Sequence, residues 1–184
     1  SQSLVNNSID LGIRGYFANN FQDISYYNLR NKKVFKHDEH LGDRAFKKAI
    51  TFSKNILKKN DDLANTFLFP YTTETCTNDL LYKSYKVSKN LNIPLRTHFA
   101  QYKSEVESTY KIHKISPLER LNKLKILDQN LTLTHSIYLN KNYKQEEIST
   151  KDLKCLHGTG TNICHCPVVY LRKRYGLNSF QLLV

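Results

Sequence analysis

The sequence predicts an α/β protein of the (β/α)8 TIM-barrel class. Three observations carry that expectation. Strand-like and helix-like segments alternate about five times, the pattern of parallel strands joined by crossover helices. Polar residues suited to chemistry recur where the apolar strands end. No strand is followed by the G-x-G-x-x-G or P-loop glycines of an open nucleotide-binding sheet.

Taken in order, GIRGYFANN is the first apolar run and reads as a strand. A polar loop follows, then DRAFKKAITFSKNILKK, in which Phe46, Ile50, Ser53 and Leu57 recur at helical spacing. TFLFPYT is strand-like, with Pro70 expected to stop it. Thr77 is placed to cap the helix NDLLYKSYKVSKN. IPLRTHF is the next strand and YKSEVESTYKIHK the next helix. Ser116-Pro117-Leu118-Glu119 is a capping box with proline at the first helical position. The helix it opens, PLERLNKLKIL, carries Leu118, Leu121, Leu124 and Ile126 or Leu127 on roughly one face. LTLTHSIYL is again a strand. Ser149-Thr150-Lys151-Asp152 caps a short helix through about His157, with Gly158 as its stop, and TNICHCP is the last strand.

The strand ends hold Thr72 and Thr73, His98 and Gln101, His135, and His165. In a barrel the C-terminal strand ends face one mouth, so residues far apart in sequence converge there. An open sheet explains the repetition less well. A single histidine at a strand end is more often a hydrogen-bonded structural residue than a functional one, but repetition at equivalent places favours function.

Composition narrows the rest. A chain of 184 residues suits one sizeable domain, and 40% apolar content is in the globular range. No stretch nears the roughly 18 consecutive apolar residues of a membrane span, and the start lacks a basic-then-apolar leader. A soluble, cytoplasmic protein is expected, with its four cysteines reduced. The net charge of +12 is spread through NKK, FKKA, LKKN and LNKLK rather than gathered in one stripe, so neither nucleic acid nor membrane is the expected partner. There is no methionine, and the chain closes on SFQLLV. A piece of a longer protein is expected.

The stretch CLHGTGTNICHCP gathers Cys155, His157, Cys164, His165 and Cys166. Structural zinc sites usually pair their ligands with two to four residues between them. On a strand, adjacent residues point to opposite faces, so Cys164, His165 and Cys166 do not reach one ion together. Cys164 and Cys166 read instead as small buried hydrophobes. His37, His40 and His113 read as solvated surface residues, and the run Leu171 to Arg174 as a solvated basic loop. Glu105 and Glu107 fall where a helix N-terminus favours carboxylates.

GIRGYF, FPYTTETCTNDLL, THFAQYKSEVE, SPLERL, LTHSIYL and CHCPVVYLRKRYGLNSF, in that order, resemble the metal-dependent amidohydrolase superfamily. The similar branch holds the methylthioadenosine/S-adenosylhomocysteine deaminases and the triazine hydrolases. The resemblance covers nearly the whole chain and implies a partial catalytic barrel over residues 1–184, strands three to seven, lacking the first two strands and the last. It implies that His98 binds a divalent metal ion, with zinc the expected ion, and that His135 acts on the substrate and the attacking water. Gln101 would orient water or substrate, and His165, Thr72 and Thr73 would line the substrate pocket.

Two departures accompany the resemblance. The deaminases have a proton-shuttling glutamate where this chain has Gln101, and an amide is not a general base near neutral pH. The strand-one histidine pair and strand-eight aspartate that complete the metal site are missing from this chain. The expected function is a hydrolase attacking a C–N bond of a small nitrogen heterocycle with metal-activated water. Homo-oligomerisation stays open. The alternative is an inactive truncated or degenerate fragment without metal, acting at most as a binding partner.

Overall fold

The computed structural model describes residues 2–30, 32–139 and 150–172. The architecture is α/β, divided into two compact units: residues 1–71 with 75–96, and residues 72–74 with 97–184.

The first unit opens with helix α1 (Gln2–Asp10), followed by strands β1 (Gly15–Phe17) and β2 (Asn20–Phe21). Strands β3 (Ile24–Leu29) and β4 (Lys32–His37) then form an antiparallel hairpin. Helix α2 (Glu39–Lys59) leads to β5 (Ala64–Thr66), β6 (Phe69–Pro70) and helix α3 (Asn78–Leu91). Strands β1 and β5 pair in parallel, as do β2 and β6. Val5 of α1, Ile56 of α2 and Ala64 of β5 form a buried cluster, flanked by Ile9, Phe17 and Phe52. Fully burying side chains such as Val5 and Ile56 contributes about 1.5–3 kcal/mol each.

The helices begin and end where the sequence supplies the chemistry. The Asp38 carboxylate accepts from the Leu41 N–H at 2.9 Å to open α2. The Thr77 hydroxyl accepts from the Leu80 N–H at 3.2 Å to open α3. Asn60 and Asn92 close the two helices at φ 48° and 51°, a left-handed conformation that asparagine tolerates.

Three expectations are sharpened in this unit. The stretch read as a polar loop before α2 contains the β3–β4 hairpin, whose SYYNL and KVFKH segments are rich in strand-favouring residues. The buried face of α2 is Gly42, Phe46, Ala49, Ser53 and Ile56, while Leu57 is exposed. Phe46 and Ser53 lie on the buried line, whereas Ile50 and Leu57 sit about 60–80° to one side of it at about 100° per residue. Pro70 is the last residue of β6, so the strand-like run ends at the expected proline.

Asp23, 7% exposed, organises the polar side of the first unit. Its carboxylate accepts from the Thr77 N–H at 2.9 Å and also from the Thr77 hydroxyl. His37 Nε2 lies 3.6 Å away. Gly42 is pressed against it: a Cβ there would lie 2.4 Å from the Asp23 Cβ, so only glycine allows the approach.

The second unit receives strand β7 (Leu95–Phe99) from residue Thr97 onward. Helices α4 (Lys103–His113) and α5 (Pro117–Lys123), strand β8 (Leu131–His135), helix α6 (Thr150–Thr159), strand β9 (Asn162–Cys164) and helix α7 (Pro167–Arg172) follow. The sheet order is β7-β8-β9, with β8 and β9 parallel and Thr134 opposite Cys164. Phe99, Val106, Leu118, Leu121, Leu131, Leu133 and Tyr170 are buried.

The Ser116 hydroxyl accepts from the Glu119 N–H at 3.0 Å, with Pro117 first in α5. That helix stops at Lys123, yet Leu118, Leu121 and Ile126 are all buried as one apolar set. Helix α6 runs past Gly158 and is closed by Gly160 at φ 64°. Gly158 keeps a right-handed conformation, so it does not break the helix. Strand β9 ends at Cys164, and Cys164 and Cys166 are half-buried rather than buried. Ser149 and residues 173–184, which include part of the basic run and SFQLLV, lie outside the described residues. Among the described residues no helix is long and apolar enough to cross a membrane.

Candidate active site

All six residues singled out at the strand ends fall in the second unit. His98 is the penultimate residue of β7 and His135 the last of β8, neighbouring strands of one sheet. Their rings stack with centroids 5.1 Å apart and planes 11° from parallel. Tyr170 of α7, wholly buried, sets its ring edge-on to His135 at 5.4 Å. The same Tyr170 ring stacks with His165, centroids 6.3 Å apart. Four rings thus run in series from the end of β7 through the end of β8 to the residue just past β9.

Thr72 pairs with His98 through a parallel bridge, and the Thr73 N–H donates to the His98 carbonyl at 3.3 Å. The Thr73 hydroxyl is buried and donates to Glu105 Oε1 at 3.0 Å. Arg120, also buried, donates to the Thr73 carbonyl. The Thr72 hydroxyl accepts from the Glu74 N–H at 3.1 Å. Gln101 is half-buried, and its side-chain amide donates to the Tyr102 hydroxyl at 3.2 Å.

The backbone at these strand ends is strained. Ala100 has φ 45°, His135 φ 84° and Ser136 φ 52°. Left-handed conformations cost about 1–3 kcal/mol for residues other than glycine, and persist where the surroundings over-determine them. Here the Ser136 N–H donates to the Phe99 carbonyl, and the Ile137 and Tyr138 N–H groups both donate to the Ala100 carbonyl. These bonds tie the exit of β8 to the exit of β7.

Sequence reading passed over two residues as parts of this site. Tyr170 sits in PVVYL, whose apolar run signals packing, but nothing in it marks contact with two histidines. Glu105 lies in the first turn of α4 with 3% exposure. Its carboxylate accepts from the Thr73 hydroxyl and the Ala100 N–H at 3.0 Å each, and from the Gln101 N–H at 2.9 Å. Burial pushes its carboxyl up to about 7 despite these bonds. Its legible signal was a carboxylate on the helix face that carries Val106 and Thr109 to the interior. Burial likewise pushes the Tyr170 phenol up, with Tyr102 adding to the effect, so it stays neutral at physiological pH.

A catalytic zinc generally needs three protein ligands. Among the described residues no group of three or more His, Cys, Asp or Glu side chains could hold a metal ion. Stacked His98 and His135 do not make up the deficit as a chelating pair, because imidazole lone pairs lie in the ring plane and nearly parallel planes do not converge on one point. The described residues therefore do not form a complete metal centre.

The chain is 24% identical over 170 residues to the 5-methylthioadenosine/S-adenosylhomocysteine deaminase of Pyrococcus furiosus, covering 92% of this chain and 36% of that protein. It is 26% identical over 125 residues to the 5'-deoxyadenosine deaminase of Methanosphaera stadtmanae, covering 66% of this chain and 29% of that one. Among solved structures, an adenosine deaminase from Xanthomonas campestris with bound zinc superposes with a TM-score of 0.76 at 16% identity, over 99% of this chain and 37% of its own. The zinc complex of atrazine chlorohydrolase from Arthrobacter aurescens gives 0.73 at 15% identity, over 99% and 38%. At such identities the structural likeness speaks for the fold. The chain spans about a third of the length of these relatives. Residues 5–183 match the amidohydrolase family, and the chain belongs to that family.

Proposed function

We propose that this chain is the central part of a (β/α)8-barrel hydrolase, strands three to seven, that attacks a C–N bond of a small nitrogen heterocycle in the manner of a deaminase. The observation that carries the reading is the stacked pair of His98 and His135 at the ends of adjacent strands in a chain of this family. The named relatives are deaminases of adenosine derivatives, which makes a purine nucleoside the first substrate class to try.

His98 is the group proposed to ligate a divalent ion, zinc first, with the other ligands supplied from outside this chain. When bound, such an ion lowers the pKa of a water molecule and makes it nucleophilic near neutral pH. The remaining roles belong to the chain's own residues. His135, held by Tyr170, is oriented to hydrogen-bond the substrate or hold a proton. Gln101 has both a donor and an acceptor to orient water or substrate, but does not take up a proton near neutral pH. Thr72 and His165 are proposed to line the pocket. Thr73 is proposed to join them, its buried hydroxyl held by Glu105.

The test is deamination of 5'-methylthioadenosine, S-adenosylhomocysteine and 5'-deoxyadenosine by the zinc-loaded whole protein, followed by ammonia release and the ultraviolet change on losing the amine. Turnover with stoichiometric zinc supports the reading. Absence of both zinc binding and turnover would favour the alternative of an inactive relative that at most binds a partner.

A further inference from the structure

We infer that Glu105 is a positioning residue for His98 and Gln101, holding the Ala100 and Gln101 amides on its two carboxylate oxygens and so fixing the turn between the two side chains. The inference rests on the reading above, in which His98 and Gln101 belong to the site.

The turn needs such a clamp. Ala100 adopts φ 45°, a conformation opposed by the Cβ of any L residue. Tyr102, at the N-cap of α4, makes no side-chain cap hydrogen bond. Glu105 supplies what the cap lacks by reaching past it. Its Oε1 accepts from the Ala100 N–H and the Thr73 hydroxyl, and its Oε2 from the Gln101 N–H. Thr73 in turn holds the His98 carbonyl through its own N–H. The Ala100 carbonyl receives the Ile137 and Tyr138 amides, so the turn that Glu105 clamps also anchors the segment leaving His135. One buried carboxylate thereby holds the backbone two and three residues beyond His98 and, through Thr73, the His98 carbonyl itself.

An amide cannot replace this carboxyl, ionised or protonated, because both carboxyl oxygens keep a lone pair for an N–H whereas an amide NH2 has none. The glutamine oxygen can accept from Ala100 or from Gln101, but its NH2 then meets the other backbone N–H, donor against donor. Glu105→Gln therefore opens the turn while barely changing side-chain volume. Leu121→Ala is the control: Leu121 is fully buried in α5, and its loss weakens the core without removing any bond to the turn.

The experiment uses the whole protein and compares wild type, E105Q and L121A by amide hydrogen exchange, by the His98 ring resonances and by kinetics. In E105Q the Ala100 and Gln101 amides should exchange roughly tenfold faster or more. The His98 ring signals should move, and kcat should fall about a hundredfold while KM changes little. L121A should keep the His98 signals and kcat of wild type at temperatures where it is folded. If E105Q proves unfolded, Glu105→Asp, one methylene too short to reach both amides, is read in the same way. Wild-type exchange and ring signals in the Glu105 variants would overturn the inference, as would L121A reproducing their pattern. If wild type shows no turnover, the proposed function falls, while exchange and ring signals still decide the role of Glu105.

Discussion

Raising the pH from 5 to 8 should weaken the fold through Glu105, and the size of the effect follows from its surroundings. Burial lifts this carboxyl from 4.5 to about 7. The folded state therefore holds a proton that the unfolded chain has released. Below pH 4.5 both states are protonated and the stabilisation is fully present; it is lost as pH rises through 7. At about 1.4 kcal/mol per tenfold change in proton affinity, the gap caps the effect at about 3.5 kcal/mol. About 2.5 kcal/mol of that falls between pH 5 and 8.

His113 works in the opposite direction. Burial, with a smaller contribution from Arg120, lowers its pKa, so its stabilisation is present above the ordinary histidine range and lost on acidification. The raw pH profile mixes the two groups. Urea midpoints of wild type and E105Q measured across this range separate them, because His113 is common to both. Wild type should lose about 2.5 kcal/mol more than E105Q between pH 5 and 8 at unchanged m-value. Parallel pH profiles for the two proteins would refute the argument, because they would mean that Glu105 exchanges no proton in this range.

Other outcomes follow from the same geometry. His98→Ala should remove bound metal and turnover together, measured by metal analysis and the deamination assay; retention of both would remove His98 from the site. Gln101→Glu should raise deamination by about a hundredfold where proton transfer limits the rate, the usual contribution of a positioned acid–base group. No change would mean that position 101 does not meet the moving proton. Gly42→Ala should cost about 1–3 kcal/mol in urea unfolding, because its methyl group would overlap Asp23. A cost below about 0.5 kcal/mol would show that α2 shifts freely there. Tyr170→Ala should cost about 3–5 kcal/mol and release both histidine rings that it contacts. Unmoved His135 and His165 resonances would contradict the packing.

The amino-acid sequence alone was enough for most of the succession of elements and for the polar residues that stand near the strand ends. The alternation of segments, the Thr77 and Ser116 caps and the Thr-His pairs at 97–98 and 134–135, at or next to the ends of their strands, are local properties, set by side-chain spacing and by hydrogen bonds a few residues long. The family resemblance was legible for the same reason, as short motifs kept in order. The β3–β4 hairpin was missed because its serine, asparagine, lysine and histidine residues make it look polar on average, while its isoleucine, tyrosine, valine and phenylalanine residues suit a strand. The buried face of α2 was not legible because Phe46 and Ser53 fit both a stripe with Ile50 and Leu57 and a stripe with Ala49 and Ile56, and only packing selects between them.

Which polar groups are buried, and what they hold, came from the packing of the elements. Glu105 looked like an ordinary carboxylate at a helix N-terminus, yet its partners are Thr73, 32 residues away, and two amides of the preceding turn. The stacking of His98 on His135 and the insertion of Tyr170 beside His135 and His165 join residues from separate elements. Burial and contact depend on how the elements pack against one another, and no spacing within one segment records the neighbours that another segment brings.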